Sequence, residues 1–170
     1  MISGKLKSYF YTKKIRGATA ANRIAFDEYS GKAGVIIDAE NFDEKWKLSE
    51  FYKLIQLKKE DFRIVVCGSR DSLPEDLDAD VLDPREIGLM GEFKCEAIKG
   101  FSEEGFDFLI CHFSGNSIAA VLLSAVTGAG VKIGNRPDEY GIYDVEIDSG
   151  EIEVFQQEVL KYLKILKKNN

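Results

Sequence analysis

The turn Ser114-Gly115-Asn116-Ser117 follows an apolar, strand-like run and opens a helix-like one. Residues of these types in that setting can offer unpaired backbone amides to a phosphate or another anion. Arg70 and Arg136 are the bases that could complete such an anion site. Ser114 and Asn116 are equally the residue types that simply cap a buried helix. Two other stretches, Asp38-Ala39-Glu40-Asn41 and Cys67-Gly68-Ser69-Arg70, also end apolar runs. In an open parallel sheet all three would emerge at the carboxyl edge, where ligands bind. His112, just ahead of the turn, could serve there as an acid or base. It cannot form a nucleophile pair with Cys111, because adjacent strand residues point to opposite faces. A hydrogen-bonded, partly buried histidine is the simpler expectation.

Other candidate chemistry thins out on inspection. Cys67, Cys95 and Cys111 form no C-x-x-C pair and His112 is the only histidine, which predicts reduced, buried thiols. Asp76, Asp78, Asp80 and Asp83 crowd one stretch, but they lack the ligand spacing and glycine of a calcium loop. They read as a solvated acidic loop. The expectation is therefore no catalytic residue, no metal and no cofactor.

Charge is unevenly spread along the chain, whose formal net charge is −6. Residues 1–32 hold seven bases against two acids, Asp27 and Glu28, a balance of +5, whereas the remaining 16 bases and 27 acids give −11. This first segment interleaves Tyr9, Phe10 and Tyr11 with Lys5, Lys7, Lys13, Lys14 and Arg16. Such a composition can neutralise phosphates while its rings stack or insert, on nucleic acid, an anionic membrane surface or an acidic protein. It can also fold back as a helix on the acidic body of its own chain.

The elements that must position these residues are legible from periodicity. At 170 residues and 45% hydrophobic, the chain has material for one domain with one core. Phe106 to Gly134 reads as strand, turn, helix, strand, and its helix Ile118 to Val126 is apolar on nearly every face, so it must be covered on all sides. AGVIID (33–38) and FRIVVC (62–67) read as central strands buried on both faces. Between them, Leu48, Phe51, Tyr52 and Ile55 predict one amphipathic helix, hence a right-handed βαβ unit. A short strand is expected near Asp80–Leu82, a short helix over Glu92–Lys99 and an alternating strand over Ile142–Ile147. A closing helix over Ile152–Lys167 carries a stripe of Phe155, Val159, Tyr162, Leu163 and Leu166. No apolar run reaches the ~18 residues of a membrane span and the first residues lack a signal-peptide core, so the expected setting is a reducing cytoplasm.

Three resemblances arise at these residues. FDFLICHFSGNSIAAVLLSAVTGAGVKIG resembles the strand–SG–helix segment in the C-terminal half of GT-B glycosyltransferases of the heptosyltransferase type, in which the turn and helix start hold a sugar-nucleotide diphosphate. The histidine early in that family's helix is replaced here by the run Ile118 to Val121. AGVIIDAENF is similar to the opening strand of NYN-type ribonucleases, whose acid and asparagine help bind a metal; Asp38 and Asn41 match, while the later turn reads SGNS without carboxylates. The broadest likeness is carried by Lys132, Gly134, Tyr143, Asp144, Tyr162 and Leu163. With these, the chain resembles an uncharacterised family of small bacterial Rossmann-like α/β proteins, which implies the fold and no activity.

The expected architecture is a single doubly wound, mostly parallel α/β sheet of about five strands with helices on both faces. It occupies residues 33–170, behind a basic N-terminal arm over 1–32. The expected function is a non-catalytic interaction protein. Lys5, Lys7, Tyr9, Phe10, Tyr11, Lys13, Lys14 and Arg16 would contact a macromolecular partner with an acidic or phosphate-bearing surface, protein or RNA. The alternative is a protein or enzyme binding a nucleotide or sugar phosphate through Ser114, Gly115, Asn116, Ser117, Arg70 and Arg136. An NYN-like nuclease is the third reading.

Overall fold

A computed structural model describes residues 2–21 and 30–168. Arg23, Asp27 and Glu28, counted above in the charge of the first segment, lie outside them. In chain order the elements are α1 (Ile2–Ala21), β1 (Ala33–Asp38), α2 (Phe42–Lys45), α3 (Phe51–Leu54), β2 (Phe62–Cys67), β3 (Asp80–Leu82), α4 (Glu96–Glu103), β4 (Phe106–His112), α5 (Ile118–Val126), β5 (Ala129–Gly134), β6 (Val145–Glu146) and α6 (Ile152–Lys168).

The six strands form one sheet in the order β3-β2-β1-β4-β5-β6, and every pairing is parallel. The chain builds outward from β1 to β3, returns to lay β4 beside β1, and builds outward again. The order therefore reverses between β1 and β4, which is where open α/β sheets form a crevice. β1, β2 and β4 carry the long apolar runs because both of their faces are covered. The edges are blunted by brevity: β3 has three residues and β6 only two of the alternating run Ile142–Ile147.

Alternation splits the core into two layers. Ile36, Val65, Leu109 and Cys111 face α1, α4 and α5, through Tyr11, Ile15, Ile98, Phe101, Leu122 and Leu123. Val35, Ile37, Val66, Phe108 and Ile110 face the other side, covered by Leu48, Phe51 and Ile55 and by the α6 stripe Phe155, Val159 and Leu163. Tyr162, expected in that stripe, is exposed. The uncharged α5 is possible because α1 lies across it while its other face meets the sheet, so Leu122 and Leu123 are fully buried. Each such leucine contributes about 1.5–3 kcal/mol of apolar burial.

Over its described residues the first segment is thus a helix of the body. Tyr11 and Ile15 are buried, the Tyr11 hydroxyl donates to the Gly88 carbonyl (3.0 Å), and Lys14 donates to the Gly91 carbonyl (2.7 Å). Replacing Tyr11 with phenylalanine is expected to cost about 1 kcal/mol in urea unfolding, the net worth of one buried hydrogen bond. An unchanged midpoint would mean that Gly88 does not hold the hydroxyl.

The βα connection after β1 differs from expectation. Instead of one amphipathic helix, the chain runs through α2, a 3-10 stretch over Trp46–Glu50, and α3. The buried side chains Lys45, Leu48 and Phe51 are spaced by three, and only the tighter 3-10 winding stacks such residues in one line. The helix expected over Glu92–Lys99 starts later, at Glu96, because Phe93 is held in an antiparallel bridge with Ile87. Among the described residues no helix is long and apolar enough to cross a membrane.

Candidate functional site

The crevice position is set by the ends of β1 and β4. Asp38 is the last residue of β1 and is 3% exposed, so its charge needs partners. The first are the backbone amides of the turn after β4: Ser114 N–H donates to both carboxylate oxygens (3.2 and 3.1 Å) and Gly115 N–H to Oδ2 (2.8 Å). The other is Lys45, 1% exposed, whose ammonium donates to Asp38 Oδ1 and to the Glu40 carbonyl. The 3-10 winding delivers it there by putting Lys45 in line with Leu48 and Phe51. Burial, and secondarily the charge of Arg136, hold the Lys45 ammonium below its ordinary range, to about 8.

The amides expected to await an external anion are therefore used internally. Ser114 and Gly115 serve the Asp38 carboxylate, and Ser117 Oγ caps α5 by accepting from Ala120 N–H (3.2 Å). Arg136 does stand at the turn, but it donates to the Gly115 carbonyl and reaches 3.5 Å to the Ser114 carbonyl and to Asn116 Oδ1. Arg70 is elsewhere: it forms a two-pronged pair with Glu86 (2.6 and 3.0 Å) beside β3, with β1 and β2 between it and the turn. Glu40 lies against the turn, since a Cβ on Gly115 would collide with its carboxylate. Asn135 pins the ends of β4 and β5 together, accepting from Phe113 N–H (2.8 Å) and donating to the Phe113 carbonyl (2.9 Å).

A cleft of about 460 Å³ opens beside this turn, between Ser117, Val121, Arg136, Tyr140 and Tyr143. Its polar groups are largely spent: Asp138 accepts from the amides of Tyr140 and Ile142, while Ser117 and Arg136 are engaged as above. Nor does the edge suit a metal. The Lys45 ammonium sits against Asp38 where a cation would be, and Asn41, in a left-handed conformation, makes no side-chain cap at α2. Among the described residues no three His, Cys, Asp or Glu gather in a metal-ligating group.

His112 differs from expectation. It is 1% exposed, packs edge-on against the Phe155 ring (4.8 Å between centroids), and neither ring nitrogen meets a partner in hydrogen-bonding geometry. Burial first, then the Lys45 charge, push its pKa down to about 4, against a smaller opposing effect of the Ser149 backbone. Cys111 points to the opposite layer, toward Ser124 Oγ (3.4 Å), and burial lifts its thiol to about 12. Cys67 is likewise buried with its thiol pushed up, and all three cysteines are free.

On α1 the residues expected to contact a partner divide by face. Tyr11 is buried and Lys14 is tied to Gly91, so neither is available as a contact. Lys5, Lys7, Tyr9, Lys13 and Arg16 are exposed and Phe10 is half-buried. Lys5, Tyr9, Lys13 and Arg16 follow the helical repeat along one outward face. Arg16 also stands over the Tyr140 ring at 5.9 Å.

Sequence reasoning missed Lys45, Glu40 and Asn135. The three-residue spacing of Lys45, Leu48 and Phe51 was the available signal for the first. No curated protein and no solved structure matches this chain. A family model does, over residues 7–166, and it takes in α1 together with the sheet. The chain belongs to that family, a family of unknown function (DUF6913).

Proposed function

We propose that this protein is a non-catalytic binding module that engages a polyanionic partner through the exposed first turns and outward face of α1. The observation that carries this reading is the clustering on one helix of exposed bases that have no carboxylate partner. Lys47, Lys59, Arg63, Arg70 and Arg85 on the body each hold a carboxylate of the same chain, and the exposed body lysines without one, Lys58, Lys94 and Lys164, are scattered over separate segments. Lys5, Lys7 and Lys13 on α1 are exposed and have no carboxylate partner among the described residues. The absence of turnover is supported by the crevice, where Asp38 and Lys45 occupy the position that a bound phosphate or metal would need.

The test is retention on immobilised heparin, a generic polyanion, compared with the triple variant K5E/K7E/K13E. All three side chains are exposed, so the fold should survive, whereas deleting α1 would remove Tyr11 and Ile15 from the core. The variant is expected to bind at least ~10-fold more weakly at a given salt, with a shallower salt dependence. Equal elution would remove α1 from the proposal. Stabilisation of the wild type by a nucleotide would instead favour the sugar-phosphate or nucleotide reading of the turn at Gly115 to Ser117.

A further inference from the structure

The geometry points to an anionic lipid bilayer as the surface that α1 meets; this rests on the polyanion reading above and goes further by naming the partner. Gly4 through Tyr9 are exposed at every position, so the first turns of α1 project past the body with all sides open. Leu6 is 40% and Tyr9 60% exposed there, with the Tyr9 ring edge-on to Phe10 at 5.5 Å. A second exposed apolar element is fastened to the body-facing side of the same helix, one turn further on. The turn between Gly88 and Gly91 is fastened to α1 by Tyr11 and Lys14, and it presents Leu89 (39%) and Met90 (62%) outward. Helical periodicity places Lys7 and Phe10 on the same side of α1, one turn toward the projecting end. The carboxylate that follows this turn, Glu92, is folded back to accept from Met90 N–H (3.0 Å).

Exposed aliphatic and aromatic tips among unpaired lysines are the composition that anchors at a headgroup boundary: the bases meet anionic headgroups while the apolar tips enter the acyl margin. Single-stranded nucleic acid is a poorer fit, because it needs aromatic faces and gives Leu6, Leu89 and Met90 no role. A second copy meeting α1 with its own α1 would set Lys5, Lys7 and Lys13 against like charges. The −11 carried by residues 33–170 orients the contact, since an anionic bilayer repels that body and admits α1.

The experiment is co-sedimentation of the full chain with vesicles of phosphatidylcholine alone or mixed with phosphatidylglycerol, run beside the heparin column. Wild type should partition onto the mixed vesicles only, with K5E/K7E lowering partition about fivefold or more per base. The exposed pair variant L6S/M90S should lose vesicle binding severalfold while its heparin retention stays unchanged. Heparin retention without vesicle binding, or vesicle binding indifferent to L6S/M90S, overturns the bilayer inference and leaves the polyanion reading standing. Loss of both in the wild type overturns both.

Discussion

Replacing Lys45 with alanine is expected to lower stability by about 3–5 kcal/mol, the cost of leaving a buried charge without its counter-ion. Asp38, 3% exposed, would keep only the amides of Ser114 and Gly115 as partners. The whole carboxyl edge would feel the loss, because the same carboxylate ties β1 to the turn after β4. Urea unfolding at neutral pH should show a lower midpoint with an unchanged slope. The double variant Lys45→Met with Asp38→Asn should recover much of that loss, because a neutral amide can still accept from Gly115 N–H and a thioether chain can fill the lysine's space. The difference between the double variant and the sum of the singles measures the coupling of the pair. A single-variant cost below ~1 kcal/mol, the range of surface pairs, would mean that the ammonium is not locked in the crevice, and the case for an occupied, non-catalytic edge would fall with it.

The contrast between what the sequence discloses and what it hides follows from the range of the interactions. AGVIID, FRIVVC and the Phe106–Gly134 unit announce themselves because a strand buried on both faces has no polar side to keep, and α5 ends where its apolar run ends. The parallel sheet follows from their spacing, and the family match spans the same elements. The site is different in kind. Asp38 and Gly115 are 77 positions apart, and nothing local says that the amides of one turn will be claimed by the acid ending another strand. Lys45 is one of several lysines in a charged stretch, distinguished only by a spacing of three from Leu48 and Phe51. A helical repeat of 3.6 reads that spacing as one amphipathic helix, which is why the 3-10 winding escapes. Arg70 was plausible at the anion turn because it follows a strand end, but the strand order puts β1 between it and β4.

The same edge favours α1 as the proposed contact. Doubly wound sheets of this order place ligands where β1 and β4 diverge. In this chain that place holds an ion pair contributed by the fold itself, and a cluster of exposed bases without carboxylate partners among the described residues lies instead on α1. In the proposed reading rigidity and recognition are separated: the crevice fixes the ends of β1 and β4, while the exposed residues of α1 would meet the partner. Substitutions on the two should give different readouts. Changes at Asp38 or Lys45 alter unfolding, and charge reversal at Lys5 or Lys13 alters binding with little effect on the midpoint.

Acid should destabilise the protein through His112 in a window that can be named. The unfolded imidazole titrates near its ordinary 6.5, while burial and the neighbouring charges of Lys45 and Arg136 hold the folded one at about 4. Above pH 6.5 the ring is neutral in both states and contributes no pH dependence. Between about 6.5 and 4 the unfolded chain binds a proton that the native chain refuses, so stability falls with pH, by about 3 kcal/mol once both forms are protonated. Glu86, Glu104 and Glu153, whose pKa values are lowered by Arg70, Lys32 and Lys47, also lose stability in acid, so the wild-type curve alone does not isolate the histidine. His112→Leu does, since those carboxylates are common to both proteins and the ring's one electrostatic support, the Ser149 backbone, is outweighed by its burial. The variant should match or exceed wild type at pH 7 and gain on it steadily as pH falls from 6.5 to 4. Parallel curves for the two proteins would show that the imidazole accepts its proton inside the fold, placing it in a polar setting rather than against Phe155.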